Sequence, residues 1–129
     1  MAWNLDSNRP IYLQLVEELE NRIVTGIYLP GSQLPGVRVL AQEAAVNPNT
    51  MQKALQELER SGLVYAQRTS GRFVTDDAEM LQSLRLRMAR QQAAAYLAAM
   101  KKLGLSTGEA LTLIKETERN DNHDPNFGM

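Results

Sequence analysis

Cysteine is absent from this 129-residue chain, which excludes disulfides and thiolate metal sites and fits a reducing compartment. Aromatic residues make up only 5%, so a core has to be assembled from aliphatic side chains, alanine and methionine. The one histidine, His123, stands beside Asp121 and Asp124 in a polar C-terminal stretch, a poor start for a metal site and no partner for a nucleophile. No catalytic residue, metal ligand or cofactor is therefore assigned. No apolar run approaches the roughly 18–20 residues that span a membrane. The opening MAWNLDSNRP has no basic region leading into an apolar core, so the expectation is a cytoplasmic chain without a membrane partner. The formal net charge of −1 argues against a protein that coats nucleic acid indiscriminately.

The best-marked segment is NPNTMQKALQELERSG, Asn47 to Gly62. Asn47 can cap a helix, Pro48 suits the first helical position where an N–H is not needed, and Gly62 supplies the left-handed residue that ends it. At about 100° per residue, Met51, Ala54, Leu55 and Leu58 share one face, with Asn49, Gln52, Lys53, Gln56 and Arg60 on the other. Amides and cations of this kind suit base edges and phosphates. Taken alone, the same helix reads more simply as an amphipathic surface helix, and its neighbours decide between the two.

Before it, Pro10 opens a helix in which Ile11, Leu15, Leu19 and Ile23 repeat every four residues, Tyr12 and Val16 widen the stripe, and Gly26 closes. Glu17, Glu18 and Glu20 on its polar side make it a core brace rather than a phosphate contact. YLPGSQLPG, Tyr28 to Gly36, holds two Pro-Gly pairs and cannot be helical. It delivers a short helix from about Val37, with Val37, Leu40, Ala41 and Ala44 inward and Arg38, Gln42 and Glu43 outward. Ala45-Val46-Asn47 turns into the next helix, which is the helix-turn-helix pattern. After Gly62, Leu63 to Tyr65 and Phe73-Val74 are β-prone around a polar turn, a hairpin with Arg68 and Arg72 near its tip. A hairpin following such a pair makes a winged helix, whose wing meets the DNA backbone or minor groove. Between Gly31 and Thr75, five cations, Arg38, Lys53, Arg60, Arg68 and Arg72, face three carboxylates, Glu43, Glu57 and Glu59, a local excess of two.

From Asp76 the composition shifts to Ala, Leu, Met, Arg and Gln, predicting one long helix over about Asp77 to Leu103. It carries two apolar faces and so needs two partners. One is a helix from about Thr107 to Arg119, opened by a Ser106/Glu109 capping box and burying Ala110, Leu111, Leu113 and Ile114. The other is a second copy of the chain, with Leu81, Leu84, Met88, Ala95 and Ala99 as the expected dimer contact; the alternative is that this face folds back on the N-terminal domain. The expected organisation is a winged helix-turn-helix domain at 1–75, a helical dimerisation region at 76–119 and a polar tail at 120–129. The fold class is mainly α with a small β-hairpin, an α+β arrangement.

The run from Pro10 to Val74 resembles the DNA-binding domain of the GntR family of bacterial transcription regulators. The elements that carry the resemblance are PIYLQL, the turn at Gly26 to Gly31, LPGVRVLA, VNPNTMQKAL, LERSGLV and a wing ending in FV. The short two-helix C-terminal region looks like the YtrA subfamily, whose members are dimeric repressors often linked to transporter operons. The resemblance implies DNA contacts from Arg38, Asn47, Asn49, Thr50, Gln52 and Lys53, and from Arg68, Ser70, Gly71 and Arg72 of the wing. Periodicity independently places Asn49, Gln52 and Lys53 on one exposed face, while Thr50 lies in the first turn, where N–H groups and the helix dipole favour a phosphate.

Two positions depart from the family pattern. Gly36 replaces the usual Ser or Thr cap, and Thr69 replaces the first glycine of the wing. The leading reading is a homodimeric repressor of a pseudo-palindromic double-stranded operator. The second is a winged-helix protein-interaction module that no longer binds specific DNA. The sequence points to no effector; two C-terminal helices leave little room for an enclosed pocket, so a small molecule would bind at the dimer interface or between domains.

Overall fold

In the computed structural model, residues 3–123 are described. The elements follow one another as α1 (Ile11–Val24), α2 (Val37–Ala44), α3 (Pro48–Ser61), β1 (Val64–Gln67), β2 (Gly71–Val74), α4 (Ala78–Lys102) and α5 (Thr107–His123). Two compact units divide within α4, one running to Arg85 and the other beginning at Leu86. Among the described residues no helix is long and apolar enough to cross a membrane.

In the first unit, α1, α2 and α3 enclose a core of Leu15, Leu19, Ile23, Leu40, Ala41, Ala44, Met51, Ala54, Leu55 and Leu58. These are apolar positions expected from helical periodicity; Ile11, Tyr12 and Val16 of α1 and Val37 of α2, expected on the same faces, are only half-buried. The entry to α1 has no side-chain cap. Gln14, one turn in and buried, accepts from the Asp6 N–H at 2.7 Å and donates to the Asp6 and Arg9 carbonyls at 2.6 and 3.1 Å. That bonding satisfies a buried amide while tying the lead-in segment to the helix. Trp3 is buried as well, with the Arg22 guanidinium 4.4 Å from its ring centroid.

The α2–α3 turn is made by Ala45 in the left-handed region, φ 60°, an uncommon conformation for a residue with a Cβ. Asn47 then caps α3, its side-chain oxygen accepting the Asn49 N–H at 2.8 Å. Gly62 ends α3 at φ 85°.

β1 and β2 pair antiparallel with Val64 opposite Val74 and Gln67 opposite Gly71. Tyr28–Gly36, non-helical as its two Pro-Gly pairs require, also lines the free edge of β2 with its second half. Gly31 N–H donates to the Val74 carbonyl, Val74 N–H to Ser32 and Leu34 N–H to Arg72, at 2.8–2.9 Å, with a single bridge between Gln33 and Phe73. The reason is non-local: β2 offers unpaired backbone groups that an extended neighbour satisfies.

Asp77 caps α4, accepting the N–H groups of Glu79 and Met80 at 3.1 and 3.2 Å. The start of α4 belongs to the first unit: Arg85 donates to the Val24 carbonyl at 3.2 Å. Leu84, expected at a dimer contact, is instead 7% exposed within this single chain. Burying it there removes apolar surface from water without a partner. Leu81 and Met88 are half-buried, and Ala95 and Ala99 are exposed.

In the second unit, Gly104 at φ 85° turns the chain into α5, and Ser106 and Glu109 form the expected reciprocal capping box. The Tyr96 hydroxyl donates to the Ala110 carbonyl at 2.7 Å. Only Ala110 is buried among the described residues of this unit; Leu111, Leu113 and Ile114, expected beside it, are exposed. A single helix pair covers one narrow stripe, which leaves the rest of each apolar face open. The helix also continues past Arg119 to His123, since Asn120 to Asn122 contain no breaker. Asp124 and the rest of the expected polar tail lie outside the described residues.

Candidate nucleic-acid interface

Helix α3 presents Asn49, Lys53, Gln56 and Arg60 exposed, with Thr50 and Gln52 half-buried at the margin of the same face. The buried side, Met51, Ala54, Leu55 and Leu58, fixes the helix against the core, so the polar side faces outward by necessity. Arg38 is exposed in the first turn of α2, whose cap is Gly36 with no side-chain hydrogen bond. Arg68 and Ser70 are exposed in the turn between β1 and β2, and Gly71 follows at φ 99°, a conformation that favours glycine. Asn47 is exposed but its side-chain oxygen is committed to the cap.

The charges near this face are sorted by pairing. Arg60 pairs with Glu57 at 2.6 Å. Arg72 of β2 pairs with Glu59 of α3. Glu43 of α2 is met by Arg22 of α1 at 3.5 Å. All three carboxylates between Gly31 and Thr75 are thus matched by arginines. Of the five cations between Gly31 and Thr75, three are in none of these ion pairs: Arg38 on α2, Lys53 on α3 and Arg68 on the wing. The Lys53 ammonium lies 3.8 Å from the centroid of the Tyr12 ring of α1. A cation–π contact at such an exposed site contributes about 0.5–1 kcal/mol and narrows where the ammonium can go.

Sequence reasoning missed three participants in this arrangement. Tyr12 was assigned only to the widened apolar stripe of α1. Gln33 lies in a Pro-Gly turn region, yet its side-chain amide donates to the Ser70 carbonyl at the wing turn. Glu59 enters the sequence analysis only as one of three local carboxylates. Each acts through a partner far along the chain, and a one-dimensional pattern carries no signal for that.

The fold that carries these residues, a capped helix behind a tight turn followed by a two-stranded wing, is shared with known proteins. The family model for bacterial regulatory proteins of the gntR family matches residues 11–74. An uncharacterised HTH-type transcriptional regulator of Bacillus subtilis, YhcF, is 39% identical over 109 residues, 84% of this chain and 90% of that protein. The chain belongs to the GntR family. The HTH-type transcriptional repressor YtrA of the same organism is 40% identical over 73 residues, 57% of this chain and 56% of that protein. Among solved structures, a GntR family transcriptional regulator from Listeria monocytogenes superposes with a TM-score of 0.79 at 35% identity, covering 87% of this chain and 98% of that one. The DNA-binding domain of AraR, solved in complex with its operator ORX1, superposes with a TM-score of 0.50 at 32% identity over 58% of this chain and 92% of that one. This GntR-family chain is a winged-helix DNA-binding transcriptional regulator and not an enzyme.

Proposed function

We propose that the chain is a cytoplasmic, homodimeric repressor that binds a pseudo-palindromic operator, with transporter genes as its target class. The observation that carries the DNA-reading part is the sorting of charge. Once the nearby carboxylates are matched by arginines, Arg38, Lys53 and Arg68 remain as one cation each on α2, α3 and the wing. In this reading Asn49, Gln52 and Lys53 address the major groove, Thr50 and the first turn of α3 meet a phosphate, and Arg68, Ser70 and Gly71 meet the backbone beside it. Arg38 supplies a further contact at the α2 N-terminus.

The second unit supplies the dimer contact. Its helices expose Leu86, Leu103, Leu111, Leu113 and Ile114 while burying only Ala110 among the described residues, and a second copy covers such surface economically. Met88, Ala95 and Ala99 remain in the proposed contact; Leu81 belongs to the first unit and is not part of it. Two recognition helices then address half-sites about one helical turn, ~34 Å, apart.

Arg38→Ala and Gln52→Ala test the contacts. Each is expected to weaken operator binding by about 5- to 150-fold, the equivalent of about 1–3 kcal/mol, with little change in melting temperature. Full-strength binding by both variants in a salt-controlled titration would remove these residues from the interface.

A further inference from the structure

The wing has two four-residue strands, and a hairpin of that size is marginal unless something holds it. Two side chains do so from opposite sides. Gln33 reaches the turn, donating to the Ser70 carbonyl while its backbone bridges to Phe73. Arg72 reaches the other way, its Nε donating to the Glu59 carboxylate near the end of α3. The Arg72 and Glu59 side chains are only 19% and 31% exposed, so both are largely withdrawn from water and held in one geometry. A phosphate could take Arg72 only by leaving Glu59 partly buried without its partner, an unfavourable exchange.

Building on the DNA-binding reading above, we propose that Arg72 is not a phosphate contact. With Glu59 it is a positioning pair that sets the wing against the recognition helix. Sequence resemblance had placed Arg72 among the DNA-contacting residues; the pairing reassigns it. The pair joins β2 directly to α3, so the wing turn with Arg68, Ser70 and Gly71 is presented at a fixed offset from Asn49, Gln52 and Lys53. Glu59 acquires a role on the same argument. A carboxylate beside a DNA-binding face costs affinity unless something neutralises it, and Arg72 does.

The test uses the full chain with Arg72→Gln, Glu59→Gln and the charge-swapped pair Glu59→Arg/Arg72→Glu. Amide exchange at Gly71 to Val74 in the free protein is expected to speed up roughly three- to fivefold in each single variant, as for loss of an ordinary ion pair, with α1 to α3 unchanged and the swap restoring part of the protection. On operator DNA both single variants are expected to weaken binding several-fold. The slope of log K against log salt should change alike in the two single variants, because both release the same wing turn, and footprint protection should be lost at the wing position only. A phosphate-contacting Arg72 gives a different signature: Arg72→Gln flattens the slope by about 0.9, and Glu59→Gln binds more tightly. That signature overturns the proposal, as does unchanged wing exchange in both single variants, or operator binding equal to the natural chain's. Failure of the natural chain itself to prefer operator over random duplex overturns the DNA reading on which the pair's role rests, and is seen before any variant is compared.

Discussion

Replacing Gly36 with serine should make this protein more stable. Gly36 sits at the N-cap of α2 with φ −65° and ψ 161°, extended backbone that any residue adopts. No atom lies within 4 Å of where a Cβ would be, so serine meets no clash. A hydroxyl able to accept an N–H of the first turn, together with the loss of glycine's freedom in the unfolded chain, makes serine better than glycine at an N-cap by a net few tenths of a kcal/mol. A gain of about 0.5 kcal/mol raises the melting temperature of a unit this size by roughly 2–4 °C. Thermal and urea unfolding followed by circular dichroism measures it, with Gly36→Ala as the control. Alanine gains the same chain entropy but is a poor cap, so it should fall below serine by about 1 kcal/mol. A serine variant no more stable than the natural chain, or one equal to alanine, refutes the reasoning.

Gly62→Ala should cost about 1–2 kcal/mol, because φ 85° is a left-handed conformation and the new methyl would lie 3.2 Å from the Met80 Cε; an unshifted unfolding midpoint would contradict this. Glu109 accepts the Ser106 backbone N–H, and that bond, then the Ser106 hydroxyl, holds its carboxyl below the ordinary glutamate range. Because the folded value is the lower one, the cap's contribution is complete above the unfolded glutamate pKa and is lost as pH falls through the folded one. Acidification should therefore fray the start of α5 in the natural chain more than in Glu109→Gln, and a Glu109 carboxyl that titrates in the usual range by NMR would remove the capping box.

What was legible in the sequence is what neighbouring residues decide among themselves. Asn47, Pro48 and Gly62 mark α3 because caps, an N1 proline and a left-handed glycine are local requirements. Ser106 and Glu109 mark α5 for the same reason. What was not legible depends on which distant group a side chain meets. The pattern made Leu84 apolar and inward but could not say whether its cover came from this chain or another. It made Leu111, Leu113 and Ile114 an apolar face without saying that α4 covers little beyond Ala110. Arg72 and Glu59 looked like a DNA contact and a bystander until β2 brought them together. The candidate site follows the same division: Asn49, Gln52 and Lys53 share a face by helical geometry alone, whereas the unpaired state of Arg38 and Arg68 is visible only when every nearby carboxylate has been traced to its partner.

The most direct test of the central claim is a salt series of binding to duplex DNA from upstream of the chain's own gene, run beside random duplex of equal length. Sequence-specific regulation predicts affinity for the upstream duplex at least about 10³-fold above random, with log K falling linearly against log salt for both. Arg38→Ala should narrow the gap between them. Equal affinity for the two duplexes at every salt concentration would contradict the account.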